Sequence, residues 1–409
     1  MLFGCCMLQG GTLGIIHNCR GIFYSPIIDD LGFGMGAFSF YVLCFGVCSC
    51  IMLPFVPRLF SRFRAPVLLG VSSLVFSGTV IAMGFFNTLP AFYIAGAVQG
   101  FSSAFIMFYP EPLILGNWFK KKTGLAIGIS AAVAGLAGVI GNPLGSAVIV
   151  RFGWRAGYWV LGGLSFLMTV PVSFFLLRLR PEDQGMEPYG CSDGVCPVPK
   201  IDTYKGIPAD VAKRSPYFWM LIFCGLLAAN TCCYYAHLSP MGISAGYSVS
   251  AAALLVSFSM AGNVVSKLVL GHVHDRFGLD VSLAAGTICA LAGFLLLLTP
   301  SYAVRVVASF LYGPSMAMSA IMIAIAIKDV YGQESYQELL SFCSMAATFG
   351  TCFMMMIVGY IVDWLGSDTG YTVSFLIGAG LTVLMGILFI VSLRGGRRLA
   401  KKCGNTEVR

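Results

Sequence analysis

The chain has 409 residues, 58% hydrophobic and only 10% charged, with a formal net charge of +8. Soluble domains carry roughly a quarter charged residues, so this composition excludes an ordinary water-soluble fold. The long unbroken apolar runs also exclude a membrane β-barrel, whose strands show only short alternating segments.

A helix needs about 20 apolar residues to cross the hydrocarbon of a bilayer. In chain order the runs that satisfy this predict helices over 2–28, 36–57, 65–86, 90–115, 124–149, 156–177, 216–241, 249–271, 280–299, 302–327, 339–362 and 370–393. Such a chain is an all-α integral membrane protein with twelve transmembrane helices.

The basic residues orient it. With the first helix starting inside, Arg151, Arg155 and Arg305 fall outside and Arg20 and Lys267 fall within the membrane. The other 20 of the 25 Lys and Arg residues are cytoplasmic. That asymmetry is the positive-inside pattern, so both termini are expected in the cytoplasm and the chain in the cell membrane. The positive charge then serves orientation and anionic lipid, including the Lys120–Lys122 run, and not nucleic acid. The N-terminus has no basic segment before its apolar run, and Arg20 interrupts that run, which argues against a cleaved signal peptide.

Residues 178–215 are polar and turn-rich and read as a cytoplasmic linker. It joins an N-terminal six-helix bundle, 1–177, to a C-terminal one, 216–394, with a basic tail over 395–409. The halves repeat each other. Phe33 corresponds to Tyr247 and Arg62-Phe63 to Arg276-Phe277 at an offset of 214, and Gly157-Tyr158 corresponds to Gly370-Tyr371 at 213. Two pseudo-symmetric bundles of this kind place a ligand site near the membrane midplane.

Fifteen cysteines are scattered mainly through apolar segments, where they serve as small hydrophobes. Cys191 and Cys196 in the linker lack a nearby His and read as reduced thiols more readily than as metal ligands. No metal or other cofactor is expected. No phosphate-binding loop of the form G-x-x-x-x-G-K-[S/T] occurs, so ATP is not a partner and transport energy would come from gradients.

Gly271, Asp275, Arg276 and Gly278 after the eighth helix resemble the G-x-x-x-D-R-x-G loop of the major facilitator superfamily. The copy ending in Arg62 is degraded and has Ser61 in place of the acid. Asn117 through Gly128, with Tyr109-Pro110 before it, resembles the oxalate:formate antiporter and monocarboxylate transporter families. Gly262-Asn263 with Lys267 and Gly271 resembles their eighth-helix pattern, although an Arg is usual at the Lys267 position. Arg20 matches a basic position that monocarboxylate transporters carry on the first helix, and His237 with Pro240 resembles a seventh-helix His-x-x-Pro element. The resemblance implies the major facilitator fold, no enzymatic activity, and a small organic anion as the transported partner.

A cation inside a bilayer costs at least about 2.5 kcal/mol and so faces a cavity, a partner or a bound ion. Arg20 offers a planar fork that holds a carboxylate with two parallel hydrogen bonds, or else it closes a helix interface. Lys267, one turn before Gly271, is a point charge that either meets the same anion or snorkels to the inner surface. Asn263 shares its helix face. Proton-coupled monocarboxylate transporters resemble this site but place an Asp there, so the change favours exchange. Tyr24, Tyr109, Tyr234, Tyr235 and Asn230 are further polar candidates, and His17 and His237 either donate to a carboxylate or satisfy a helix interface.

Glu111, between two prolines, is a proton or gating site or a helix-end ion pair. The glycines of the fifth helix, Gly138, Gly141 and Gly145 with Pro143, resemble an antiporter motif and equally serve close packing. A secondary carrier of small carboxylates, working as a monomer by alternating access and exchange, is the leading expectation. Proton-driven efflux of hydrophobic compounds through Glu111 is the alternative on the same fold. A membrane enzyme or sensor is the alternative of another class, disfavoured because the four histidines form no catalytic set.

Overall fold

The computed structural model describes residues 1–190, 209–332 and 336–402. Cys191 and Cys196, much of the linker and the end of the basic tail lie outside the described residues. Among the described residues there is no β-sheet, only a single parallel bridge between Phe119 and Tyr189.

Nine helical stretches among the described residues are long and apolar enough to cross a membrane. One of them, Thr123–Leu176, is two spans joined end to end: Gly153 adopts φ 83° and breaks the helix. Residues 2–31 and 302–331 are each assembled from shorter helical pieces and supply two more spans. The total is the twelve that the apolar runs predict. Large apolar side chains such as Ile140, Leu167 and Phe175 are exposed on the outside, as expected of surfaces that meet lipid and not water.

The repeat is visible in the backbone. Gly32 and Gly246 have φ of 69° and 84°, and Gly153 and Gly366 have φ of 83° and 79°. Each pair sits 213 or 214 residues apart, at a turn that forces a left-handed backbone and therefore favours glycine.

The spans are less regular than their sequence suggests. The first begins as an α-helix, Leu2–Gln9, passes through a π-helical segment, Gly10–His17, and a 3₁₀ turn, Arg20–Phe23, and resumes as an α-helix over Tyr24–Leu31. The fourth is interrupted by a π-helical segment, Ala104–Phe108, and the tenth by another, Met318–Met322. The seventh breaks between Pro216–Cys232 and Tyr235–Ser244. A fifth irregularity, Val172–Leu176, ends the sixth span. π-helical segments of this kind concentrate at functional positions.

Contacts divide the chain into two compact units: Met1–Pro199 with Leu238–Met260, and Lys200–His237 with Ala261–Arg409. In the first, Ser73 pairs with Ser173 at 3.0 Å and Ser77 with Ser165 at 3.2 Å, small hydroxyls that join the third and sixth spans. The fourth span crosses the second at Gly100, where a Cβ would lie 2.3 Å from the carbonyl oxygen of Phe45. In the second unit, Gly313 meets Gly262 in the same way, its would-be Cβ 2.3 Å from the Gly262 carbonyl carbon. An apolar cluster including Phe218, Leu221, Ile323, Ile327 and Leu393 fills that unit.

Candidate functional site

Arg20 is 4% exposed and lies in the 3₁₀ turn of the broken first span. The break is held from the fifth span. Cβ atoms at Gly138, Gly141 and Gly145 would meet Asn18 Cβ at 3.1 Å, Cys19 Sγ at 2.8 Å and Ile22 Cδ1 at 2.6 Å, so the glycine stripe is the surface on which the irregular segment rests. Asn142 donates to the carbonyls of Gly138, at 2.7 Å, and Asn18, at 3.4 Å, and Asn18 donates to the carbonyl of Ala134 at 3.4 Å. Of these acceptors, Asn18 lies in the interrupted span and Gly138 and Ala134 in the fifth, so the two amides tie the break to the helix that seats it.

The Arg20 guanidinium lies over the Phe45 ring, 4.3 Å from its centroid, and 5.9 Å from that of Tyr41. Aromatic faces attract such a cation but do not neutralise it. Its Nη2 donates to Gln99 Oε1 at 3.5 Å, the outer limit of a hydrogen bond. Its Nη1 is buried without a hydrogen-bond partner, and no ion pair involves Arg20 among the described residues. The positive charge is thus desolvated and uncompensated.

Beside it is a cavity of about 20 Å³, walled by Ile15, Ile16, Arg20, Phe23, Tyr41, Val80, Met83, Gln99, Tyr158 and Leu161. That is room for little more than one water molecule. Tyr158 stacks on Phe23 with centroids 4.1 Å apart, closing one side. His17 packs against Phe45, with ring centroids 5.9 Å apart.

Other residues singled out in the first unit lie elsewhere. Tyr24 is fully buried edge-on to Phe38, at 5.5 Å. Tyr109 packs against Phe60, at 5.6 Å. Glu111 stands in the first turn of Pro110–Trp118, just past the π-helical break of the fourth span. There Gln9 Nε2 donates both to the Glu111 carboxylate, at 2.7 Å, and to the carbonyl of Met107, at 2.9 Å. One amide therefore ties the start of the first span to the break and to the acid. Arg62 ends the short helix Val56–Arg62.

In the second unit, Asn263 is 6% exposed and its Oδ1 is buried without a hydrogen-bond partner, one turn from the half-buried Lys267. Lys267 lies near Cys232, at the end of Pro216–Cys232, and Ser319 within the break of the tenth span donates to the Met316 carbonyl at 3.1 Å. Tyr234, the repeat counterpart of Arg20, also sits at a helix break, but its hydroxyl donates to the Ser374 carbonyl at 2.9 Å between the rings of Phe294 and Phe375. His237 is fully buried, and its Nε2 donates to the Met355 carbonyl at 3.1 Å. Gly271, Asp275 and Arg276 lie in the last turns of Val249–Phe277, and Gly278, with φ 87°, turns the chain into the ninth span.

Gln9, Gln99, Asn18 and Asn142 are the functional candidates that charge-based reading of the sequence passes over. The signal that marks them is an isolated amide in an apolar span, a weaker form of the anomaly that marks Arg20.

The profile of the Major Facilitator Superfamily matches residues 13–278 and 218–407, and the chain belongs to that superfamily. Its apolar helices make it a multi-pass membrane protein, and it resembles monocarboxylate transporters. Monocarboxylate transporter 3 of Gallus gallus is 27% identical over 195 residues, 46% of this chain and 34% of that protein. Monocarboxylate transporter 12 of Xenopus laevis is 24% identical over 371 residues, 83% of this chain and 77% of that protein. The match to the Gallus gallus protein thus spans about a third of its length.

Among solved structures, a bacterial homolog of the human lysosomal transporter Spinster, in an inward-facing and unoccupied conformation, shares the fold with a TM-score of 0.68 at 15% identity. That likeness covers 98% of this chain and 96% of the other. A mutant of the nucleoside transporter NupG gives 0.68 at 16% identity, covering 96% of this chain and 98% of the other.

Proposed function

We propose that the chain is a secondary carrier of small carboxylates that works by alternating access and favours exchange. The observation that carries this reading is the desolvated Arg20 guanidinium, with one nitrogen unbonded and no acid paired to it. A carboxylate is the ligand whose charge and two oxygens match that fork. The similarity to monocarboxylate transporters supports the same substrate class.

In the second unit Lys267 takes the corresponding role, with Asn263 beside it as a neutral hydrogen-bonding group. Tyr24, Tyr109, Tyr234 and His237 act in this reading as the packed surroundings that hold those spans, and the loop bearing Gly271, Asp275, Arg276 and Gly278 serves the conformational change. On this reading the carrier acts as a monomer in the cell membrane with both termini in the cytoplasm.

The cavity beside Arg20 is too small for a whole organic acid. Substrate binding on this reading therefore requires the Gln99 contact or the Tyr41 and Tyr158 walls to give way. Uptake of labelled formate into proteoliposomes, challenged with unlabelled formate, oxalate, lactate, uridine and a hydrophobic cation, tests the class. Competition by the acids alone is expected, and competition by the nucleoside or the cation alone contradicts it.

A second reading is proton-driven efflux with Glu111, a carboxylate within an apolar span beside the break at Ala104–Phe108, as the proton carrier. On that reading Glu111→Gln abolishes efflux of hydrophobic compounds, and efflux that persists in the variant removes it.

A further inference from the structure

Gln99 is 1% exposed on the fourth span, five residues before the π-helical break begins at Ala104. Its Oε1 accepts from Arg20 Nη2 at 3.5 Å and its Nε2 lies 3.1 Å from the thioether of Met83. Thioether sulfur is a weak acceptor, so neither end of this amide is strongly engaged. The Gly96 and Gly100 contacts fix the helix that carries it: Cβ atoms there would lie 2.2 and 2.3 Å from the carbonyl oxygens of Tyr41 and Phe45. Gln99 is therefore held against the second span that also presents the Phe45 ring to Arg20.

A buried guanidinium is normally matched by a carboxylate, because an unpaired buried charge is costly. Here a neutral amide stands where that acid would be. It supplies an oxygen for orientation and no charge. A permanent acid at this position would satisfy Arg20 and remove its need for an external anion.

We propose that Gln99 is a positioning residue: a neutral clasp that orients Arg20 while leaving its charge for the transported carboxylate. The inference rests on the reading of Arg20 as the anion-binding group. A substrate carboxylate displaces a long, weak contact to Gln99, whereas it would have to compete with a charge-assisted pair if residue 99 were acidic.

The test compares Gln99→Glu, Gln99→Leu and Arg20→Gln in purified full-length protein, reading the half-saturating substrate concentration for exchange and the thermal midpoint without substrate. Gln99→Leu loses the orienting oxygen and is expected to weaken binding and lower the midpoint. Gln99→Glu supplies an internal anion, so its half-saturating concentration is expected at least about tenfold above that of Gln99→Leu. Its thermal midpoint is expected at or above that of the unaltered protein.

This opposition, tighter fold with weaker binding, is not produced by a residue that only packs. If the two Gln99 variants bind alike, or if Gln99→Glu is less stable than Gln99→Leu or fails to fold, the clasp is overturned. Exchange that survives Arg20→Gln overturns the underlying assignment of Arg20 itself, whatever the Gln99 variants do.

Discussion

Arg20, Glu111 and Asp30 are three ionisable residues in one unit whose surroundings differ, and each behaves accordingly. Arg20 has aromatic faces and one amide oxygen, and no acid pairs with it among the described residues. Glu111 has an amide donor, Gln9, that also bonds the Met107 carbonyl. Replacing Gln9 with Leu removes both bonds and leaves the buried carbonyl without that donor. A destabilisation of about 1–3 kcal/mol is expected, read as a fall in denaturation midpoint in detergent, and an unchanged midpoint contradicts the role.

Asp30 lies past the apolar run of the first span, where its side chain is exposed, and accepts from Trp154 Nε1 and Arg155 Nη1, both at 2.9 Å. These donors, Trp154 first, hold its carboxyl below the ordinary range. A lowered folded value means that the linked stability is present above the usual carboxylate pKa of about 3.9 and is lost as pH falls through the lower folded value. The Trp154 fluorescence change, isolated by subtracting the Asp30→Asn variant, should therefore have its midpoint below about pH 3.9. A midpoint above that contradicts the contact. At this scale the sequence marks Arg20 by charge alone, while Gln99 and Gln9 escape because a neutral amide in an apolar run is a mild anomaly until its neighbours are known.

Helices are where sequence and structure part. Apolar length predicts twelve spans and their order, because bilayer thickness imposes it. The interruption at Ala104–Phe108 ends just before Pro110 and Pro112, and that at Met318–Met322 comes four residues after Pro314, whereas Gly10–Phe23 contains Arg20 and no proline. The glycines of the fifth span illustrate the difference: their spacing is legible, but that they seat the broken first span is visible only from Asn18, Cys19 and Ile22 opposite. The crossing of the second and fourth spans gives the sharpest test. A side chain at Gly100 would overlap the Phe45 carbonyl, whereas Gly78 has nothing within 4 Å. Gly100→Val is expected to cost at least about 2 kcal/mol or prevent folding, with Gly78→Ala near neutral by thermal denaturation. Equal tolerance of both changes would refute the crossing.

For the whole molecule, duplication at an offset of 213–214 residues is readable from short motifs and reappears as matched left-handed glycines at 32 and 246 and at 153 and 366. Membership of the Major Facilitator Superfamily follows from the full-length profile match. The substrate is less legible, since it depends on a few side chains at irregular positions. The repeat counterparts show why: Arg20 keeps an unbonded nitrogen, while Tyr234 at the equivalent break spends its hydroxyl on Ser374. An uncompensated buried cation also bears on coupling. Carrying it through a closed intermediate is unfavourable unless an anion accompanies it, so return without substrate is expected to be slow and exchange fast. Counterflow in proteoliposomes loaded with unlabelled formate, oxalate or lactate measures this directly. Labelled anion is expected to accumulate transiently in vesicles bearing the unaltered chain and not in those bearing Arg20→Gln, and counterflow undiminished in Arg20→Gln would contradict the central role of that charge.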